Sequence, residues 1–351
     1  MKICTNFDTK DVKKNKNYGD GAAWIRGPLI GKGSFGSVYR ATLKKKRNPT
    51  SKLYGHDLPS TMAVKSSEAS VSSTLRNERE TMRRLKGSPY LIECFGDETT
   101  MDRRDGSLLA YNLLLEYCSG GNLAQRIKKS PSGLPESEIR VYARCILRGL
   151  DHIHRAGYVH CDLKPDNILL TKPFFRAKIC DFGLAKRGGG GGCCRRGTTM
   201  YMSPEAVVDN IQEAASDVWA VGCVVFKMLT GKHVWGGEKA EEILKQIGTE
   251  DELPKIPEGT NISEVAKDFV KCCLVRDSIL RPSAPMLLDH PFLDGLENDD
   301  VDDDVDWSDG FDVDVDDVDD DDSSFLHWFE NGVDDGCGGS GMGDIFSDQS
   351  N

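Results

Sequence analysis

The chain has 351 residues with a net charge of −11, yet from residue 297 onward it holds 21 acids and no Lys or Arg, which leaves 35 acids against 45 bases, net +10, in residues 1–296. A basic body with enough hydrophobic residues (38%) to bury a core is therefore joined to an acidic tail, and the length suits two domains or one two-lobed domain. The longest apolar run, 218–226, is nine residues against the ~20 needed to span a bilayer, so no membrane association is expected; the N-terminal MKICTNFDTKDVKKNKN lacks a secretory apolar stretch, and twelve Cys without a C-x-x-C pair read as reduced thiols of the cytoplasm or nucleus.

In chain order, residues 1–22 are polar and read as a flexible arm. Between 24 and 43, short β-type runs flank a glycine cluster, which predicts a hairpin, and KKKRNPTSKLYGHDLPS (44–60) predicts an exposed loop. A short strand is expected at 62–65. Ser72 or Ser73 is placed to cap a helix with Leu75, Met82 and Leu85 on one side. Two strands and a turn fit 90–117. Pro135 suits the first turn of a helix whose Ile139, Tyr142, Ile146, Leu147, Leu150 and Ile153 recur three or four apart. Ser216 is expected to cap a nearly all-apolar helix that stops at Gly231. Strand-rich first and helix-rich second, the body is predicted to be α+β with two lobes. From 297 to 351, acids alternate with Val and aromatic residues; fixing such a segment costs more entropy than its few apolar side chains return, so a disordered acidic tail is expected.

Six short strings carry chemistry. GKGSFGSVYRA places Gly31, Gly33 and Gly36 in a strand–turn–strand setting, where absent Cβ atoms let backbone approach phosphate oxygens. Lys65 ends the strand AVK. Glu78 lies thirteen residues later on the predicted helix, able to pair with Lys65, with Glu80 as a competitor on another side. HCDLKPDN (160–167), DFG (181–183) and GTTMYMSPE (197–205) follow. Each string is weak alone; their order and spacing together are specific.

Over 24–292 the chain thus resembles a eukaryotic protein kinase, with DVWAVG (217–222), RP (281–282) and HPF (290–292) also in place. Lys164 and GTTMYMSPE are similar to those of serine/threonine kinases, and SPYLIECFGDE, NLLLEYCSGGNLAQRI and HCDLKPDNILL resemble plant-type MAP kinase kinase kinases of the MEKK class. The resemblance implies a bilobal kinase domain at 23–293, with a β-rich N-lobe (23–117) and a helical C-lobe (118–293). It implies ATP- and Mg²⁺-dependent transfer of the γ-phosphate to protein Ser/Thr hydroxyls, chemistry that rests on positioning and electrostatics. Ile30, Gly31, Lys32, Gly33, Ser34 and Gly36 would form the loop over the ATP phosphates. Val38, Ala63 and Leu169 would enclose the adenine, Leu115 would be the gatekeeper, and Glu116 and Cys118 the hinge. Lys65 would hold the α/β-phosphates, oriented by Glu78. Asn167 and Asp181 would hold Mg²⁺, Asp162 would accept the hydroxyl proton, and Lys164 would neutralise charge on the transferring phosphate. Thr198 would shape the substrate loop, Glu205 and Arg281 would form a buried structural pair, and Cys180 reads as a small buried hydrophobe.

Every catalytic position holds the expected residue type, which weighs against the alternative, a pseudokinase scaffold whose tail recruits partners. MAP kinase kinases are the implied substrates, and no nucleic-acid motif is present. The acidic tail is expected to bind its own basic kinase domain or a basic partner. The departure from the family pattern is Cys161, where most members have the Arg that binds an activation-segment phosphate. It predicts a weaker dependence on such a phosphate. The segment KRGGGGGCCRR (186–196) is also unusual: its five glycines predict mobility, and its four basic residues suit acidic substrate flanks or the tail.

Overall fold

The computed structural model describes residues 18–33, 35–44, 58–101, 109–172, 176–189, 195–237, 239–249 and 262–296. The tail, Ser34, and the stretch 190–194 with Cys193 and Cys194 lie outside the described residues.

The first lobe is a five-stranded antiparallel sheet in the order β1-β2-β3-β5-β4. Its strands are β1 (Trp24–Gly33), β2 (Gly36–Leu43), β3 (Thr61–Glu68), β4 (Cys94–Met101) and β5 (Leu109–Leu115), with helix α1 (Ser73–Arg84) between β3 and β4. Side-chain alternation divides the central strands between two cores. Met62, Val64 and Leu114 join Trp24 and Ala41 on one face, whereas Ala63, Leu113 and Leu115 belong to the larger core shared with the helices. Both faces are covered, so β3 and β5 are buried along most of their length, the polar Lys65, Ser66, Ser67 and Asn112 included.

The structure differs from the expected loose arm: residues 18–22 pack on the sheet. Tyr18 is buried. The Ala22 N–H and Trp24 Nε1–H donate to the two Glu98 carboxylate oxygens at 2.7 and 2.8 Å. The Arg26 guanidinium lies 4.7–5.6 Å from the ring centres of Tyr39, Trp24 and Tyr18 and donates to Ser66 Oγ and Asn112 Oδ1, both at 2.8 Å. Burial lowers its pKa to about 10. These contacts join residues far apart in the chain, so the polar composition of the arm concealed them.

The second lobe holds α2 (Leu123–Lys128), α3 (Glu136–Arg155), β6 (Tyr158–Val159), β7 (Ile168–Leu170), β8 (Ala177–Ile179), β9 (Lys186–Arg187), α4 (Pro204–Val208), α5 (Ala214–Thr230), α6 (Ala240–Thr249), α7 (Glu264–Cys273) and α8 (Ala284–Leu288). The predicted stripe of α3 is buried, and α5 is buried almost all round. Gly231 closes α5 at φ 69°, where a Cβ would stand 2.1 Å from the Pro131 carbonyl oxygen. Two expected caps are corrected. Helix α5 begins at Ala214, and Ser216 sits in its first turn, where its hydroxyl accepts from the Glu213 N–H and donates to Glu205. Ser72 does precede α1, but a 3-10 turn leads into it and the Ser72 hydroxyl donates back to the Ala69 carbonyl at 2.9 Å.

Arg281 and Glu205 form a two-pronged pair at 2.8 and 3.0 Å, with side chains 0% and 10% exposed. Burial opposes the Glu205 charge, but the Arg281 hydrogen bonds prevail and hold its pKa below the usual value. Removing one partner strands the other as a buried charge, a change that typically costs about 3–5 kcal/mol. Arg281→Leu is therefore expected to destabilise the protein by an amount of that order, read as a lowered midpoint in denaturant unfolding.

Candidate active site

Sheet register places the residues expected to enclose a base. Val38 lies opposite Lys65 across β2–β3, and Ala63 lies opposite Leu115 across β3–β5. After Leu115 the chain passes into the second lobe. The Glu116 N–H donates to the Glu93 carbonyl at 2.9 Å, and its carboxylate takes Lys178 Nζ at 2.7 and 2.8 Å. Paired backbone bonds between Gly120–Gly121 and Leu170 then stitch the following loop to β7. Val38, Cys118 and Leu169 are half-buried against the same core that contains Ala63. Burial pushes the Cys118 thiol up to about 12 and the Cys180 thiol well above its ordinary value; Cys180, expected to be buried, is half-buried.

The glycines of the β1–β2 turn differ in what requires them. At Gly36, φ is +152° and a Cβ would meet the Ser66 carbonyl at 2.5 Å, so the fold itself demands glycine. At Gly33 a Cβ would meet nothing within 4 Å. Ile30, Lys32 and Gly33 are exposed. A glycine that the fold does not require, beside an open slot, suits close approach by an external group such as a polyphosphate. Phe35 reaches down towards Gly183, 3.2 Å from where a Cβ there would lie.

Lys65 links the lobes. Its Nζ donates to Glu78 Oε2 on α1 at 2.7 Å and to Asp181 Oδ1 at 2.8 Å, while Glu80 instead pairs with Arg83 and Arg84 on the exposed side of α1. Burial pulls the Lys65 pKa down, but the two carboxylates outweigh it and hold the ammonium ionised, with a pKa above the ordinary value. The same ammonium holds Asp181 below the usual carboxylate value against the opposing effect of burial. Asp181 has φ 64°, an uncommon backbone for a non-glycine residue.

Below it, Asp162 is held on both oxygens. Oδ1 accepts the Thr198 N–H at 2.9 Å and the Thr198 hydroxyl at 2.8 Å; Oδ2 faces Lys164 Nζ and Asn167 Nδ2, both at 3.1 Å. Lys164 Nζ also donates to Thr198 Oγ1 at 2.7 Å. Asn167 Nδ2 donates to the Asp162 carbonyl at 2.8 Å, which leaves the Asn167 amide oxygen as the group able to face a cation. An amide oxygen and the Asp181 carboxylate form a hard oxygen donor set of the kind Mg²⁺ takes.

Sequence reading missed what anchors this loop. Asp217, in the first turn of α5, is a buried carboxylate that accepts the His160 N–H at 2.8 Å and the Cys161 N–H at 3.0 Å, with His154 Nε2 at 2.9 Å. Burial opposes its charge; the hydrogen bonds, led by His154, hold its pKa below the usual value. His160 Nδ1 accepts from the Asp162 N–H, so Nε2 carries the proton and donates to the Cys180 carbonyl at 3.1 Å. The catalytic loop and the strand entering DFG are thereby tied together. The DVWAVG motif signalled Asp217; nothing local signalled Lys178. Cys161, at φ 67°, is buried beneath the segment leading to Thr198.

A sheet lobe joined to a helical lobe, with a lysine shared between two carboxylates above a pinned Asp–Lys–Asn cluster, defines a protein kinase. The chain belongs to that family: the protein kinase domain model matches residues 24–293. It is 44% identical over 280 residues to mitogen-activated protein kinase kinase kinase 20 of Arabidopsis thaliana, covering 77% of this chain and 78% of that protein. Kinase kinase kinases 17 and 18 of the same plant are each 37% identical over 77% of this chain, and 69% and 77% of those proteins are covered. The enzyme is a serine/threonine protein kinase of the MAP kinase kinase kinase-like class, and family membership implies ATP as its phosphoryl donor.

Hydrogen bonds to a charged group contribute roughly 1.5–3 kcal/mol each. Asp217→Asn replaces a carboxylate by an amide with one acceptor oxygen, so it is expected to lower stability by about 2 kcal/mol and to reduce phosphate transfer more than ATP affinity, as measured by unfolding and by parallel kinetic and binding assays.

Proposed function

We propose that this kinase uses Mg·ATP to phosphorylate Ser/Thr residues of MAP kinase kinases, with the residues above in the roles their geometry suits. The observation that carries this reading is the pairing of two clusters: Lys65 between Glu78 and Asp181, and Asp162 held by Thr198, Lys164 and Asn167. Asp181 and Asn167 would hold Mg²⁺, which would supply charge neutralisation at the phosphate oxygens. Lys65, kept ionised by its carboxylates, places a fixed positive charge at the phosphates. Val38, Ala63 and Leu169 form an apolar slot for the base, and the backbone at Gly33 leaves room for phosphate. Asp162, oriented on both oxygens, accepts the proton of the attacking hydroxyl. Lys164 lies beside it, where negative charge develops in the transition state. Such fixed charges and dipoles need no reorganisation at the moment of reaction.

The substrate class is supported by the names of the relatives, and a cytoplasmic or nuclear address by the eight described cysteines, all free. For the acidic tail we favour contact with a basic surface, either its own kinase domain or a basic partner.

Transfer of the γ-phosphate to a panel of catalytically dead MAP kinase kinases tests the activity. Wild type is expected to prefer a panel member, and Asp181→Asn to lose transfer by at least 100-fold. No transfer from wild type or from protein truncated at residue 297, despite ATP binding, would replace this reading with a scaffold. Self-contact of the tail predicts that truncation raises activity at low ionic strength and that the gain fades with added salt. Unchanged low-salt activity would leave the basic partner as its target.

A further inference from the structure

Cys161 offers no guanidinium to hold the segment between DFG and Thr198, and the structure shows what holds it instead. Gln212 and Glu213, adjacent residues ahead of α5, grip two separate points of that segment. The Gln212 side chain, buried at 6% exposure, makes a matched pair of bonds with the Arg196 backbone: its Oε1 accepts the Arg196 N–H at 3.1 Å and its Nε2 donates to the Arg196 carbonyl at 2.8 Å. The Glu213 carboxylate accepts the Gly189 N–H at 3.0 and 3.2 Å, and Lys186 Nζ of β9 lies 3.7 Å away. Gly197 comes next, at φ 99°, so close to the loop that a Cβ would stand 2.3 Å from the Cys161 carbonyl. Thr198 follows, and donates through both N–H and hydroxyl to Asp162. Gln212 also borders a small cavity shared with Cys161, Asp162, Thr198 and Asp217.

We propose that Gln212 and Glu213 are positioning residues for phosphoryl transfer: by fixing Arg196 and Gly189 they set Thr198 against Asp162 without a phosphate on the segment. Glu213 supplies in permanent form the negative charge that a phosphate would supply conditionally. Gln212 acts through two backbone bonds one residue from the Gly197–Thr198 turn. A displacement there alters Asp162 and Lys164 and leaves the nucleotide slot, formed by other elements, intact. The inference rests on the kinase reading. ATP affinity and wild-type transfer test that reading itself, and ratios between variants test the clasp.

The experiment measures kcat and KM for ATP on the full chain, before and after phosphatase treatment, for wild type, Gln212→Glu, Glu213→Gln and Glu213→Asp. Gln212→Glu keeps the acceptor and removes the donor; Glu213→Gln removes the charge at nearly constant shape. Wild type is expected to stay within twofold after phosphatase. Gln212→Glu and Glu213→Gln are expected to lose about tenfold or more in kcat with KM for ATP within twofold, and Glu213→Asp to recover part of the loss. The proposal is overturned by wild-type kcat in both of the first two variants, by losses in which ATP binding falls in step with kcat, as global destabilisation would give, or by a wild type that loses more than tenfold on phosphatase treatment. Glu213 is half exposed, so its variants keep the test decisive if Gln212→Glu fails to fold.

Discussion

The catalytic loop depends on one buried carboxylate. Asp217 lies in the first turns of α5, the most deeply buried helix, and accepts bonds from the His160 and Cys161 amides and from His154. A charge in such a place is costly unless it is satisfied on every side. That cost makes the arrangement all-or-none: the loop either docks with both amides on Asp217 or leaves a bare carboxylate in the core. From this fixed start the chain runs through Asp162, Lys164 and Asn167, each of which bonds back to its neighbours. His160, with one ring nitrogen receiving and the other donating, carries the same rigidity across to Cys180. A helix that only fills space in the sequence pattern thus serves as the foundation of the chemistry.

The sheet lobe reaches the DFG aspartate through Lys65, while the Glu116–Lys178 pair and the Ile92–Ile179 backbone bond also join the lobes. Lys65 is delivered by the β2–β3–β5 register, and Glu78 by the turn of α1 that faces the sheet. Two carboxylates share one ammonium; burial raises the Glu78 pKa, and Asp181 is the member exposed enough to face a bound cation. Packing between the lobes and electrostatic readiness are the same contact here. A motion that separates α1 from the sheet breaks the Lys65–Glu78 pair and leaves Asp181 as the partner of the ammonium.

Most of the side chains that the fold brings together around Asp162 and Asp181 are legible in short fixed spacings, as in HCDLKPDN and DFG, and α3 and α5 announce themselves by apolar periodicity. The pairing of Lys65 with Glu78 followed from helical geometry. What stayed hidden depends on distant partners. Tyr18 looks like part of a polar arm until Tyr39 and Arg26 pack against its ring. Lys178 meets Glu116 across 62 residues. Ser72 and Ser216 have the chemistry of caps, but a preceding turn in one case and a buried Glu205 in the other redirected their hydroxyls. Gln212 and Glu213 belong to no motif, and their importance comes from the backbone that folds against them.

The two sulfurs beside the nucleotide slot bear on how the enzyme can be inhibited. Cys118 in the hinge and Cys180 before DFG lie where an electrophile carried by an adenine mimic would arrive. The nucleophile in such a reaction is the thiolate. Their surroundings raise the pKa of both thiols, chiefly through desolvation, which keeps the thiolate a minor form of each at neutral pH. Capture at either half-buried cysteine therefore depends on a ligand that first binds the slot and holds its electrophile against the sulfur, and free thiol reagents are expected to react slowly.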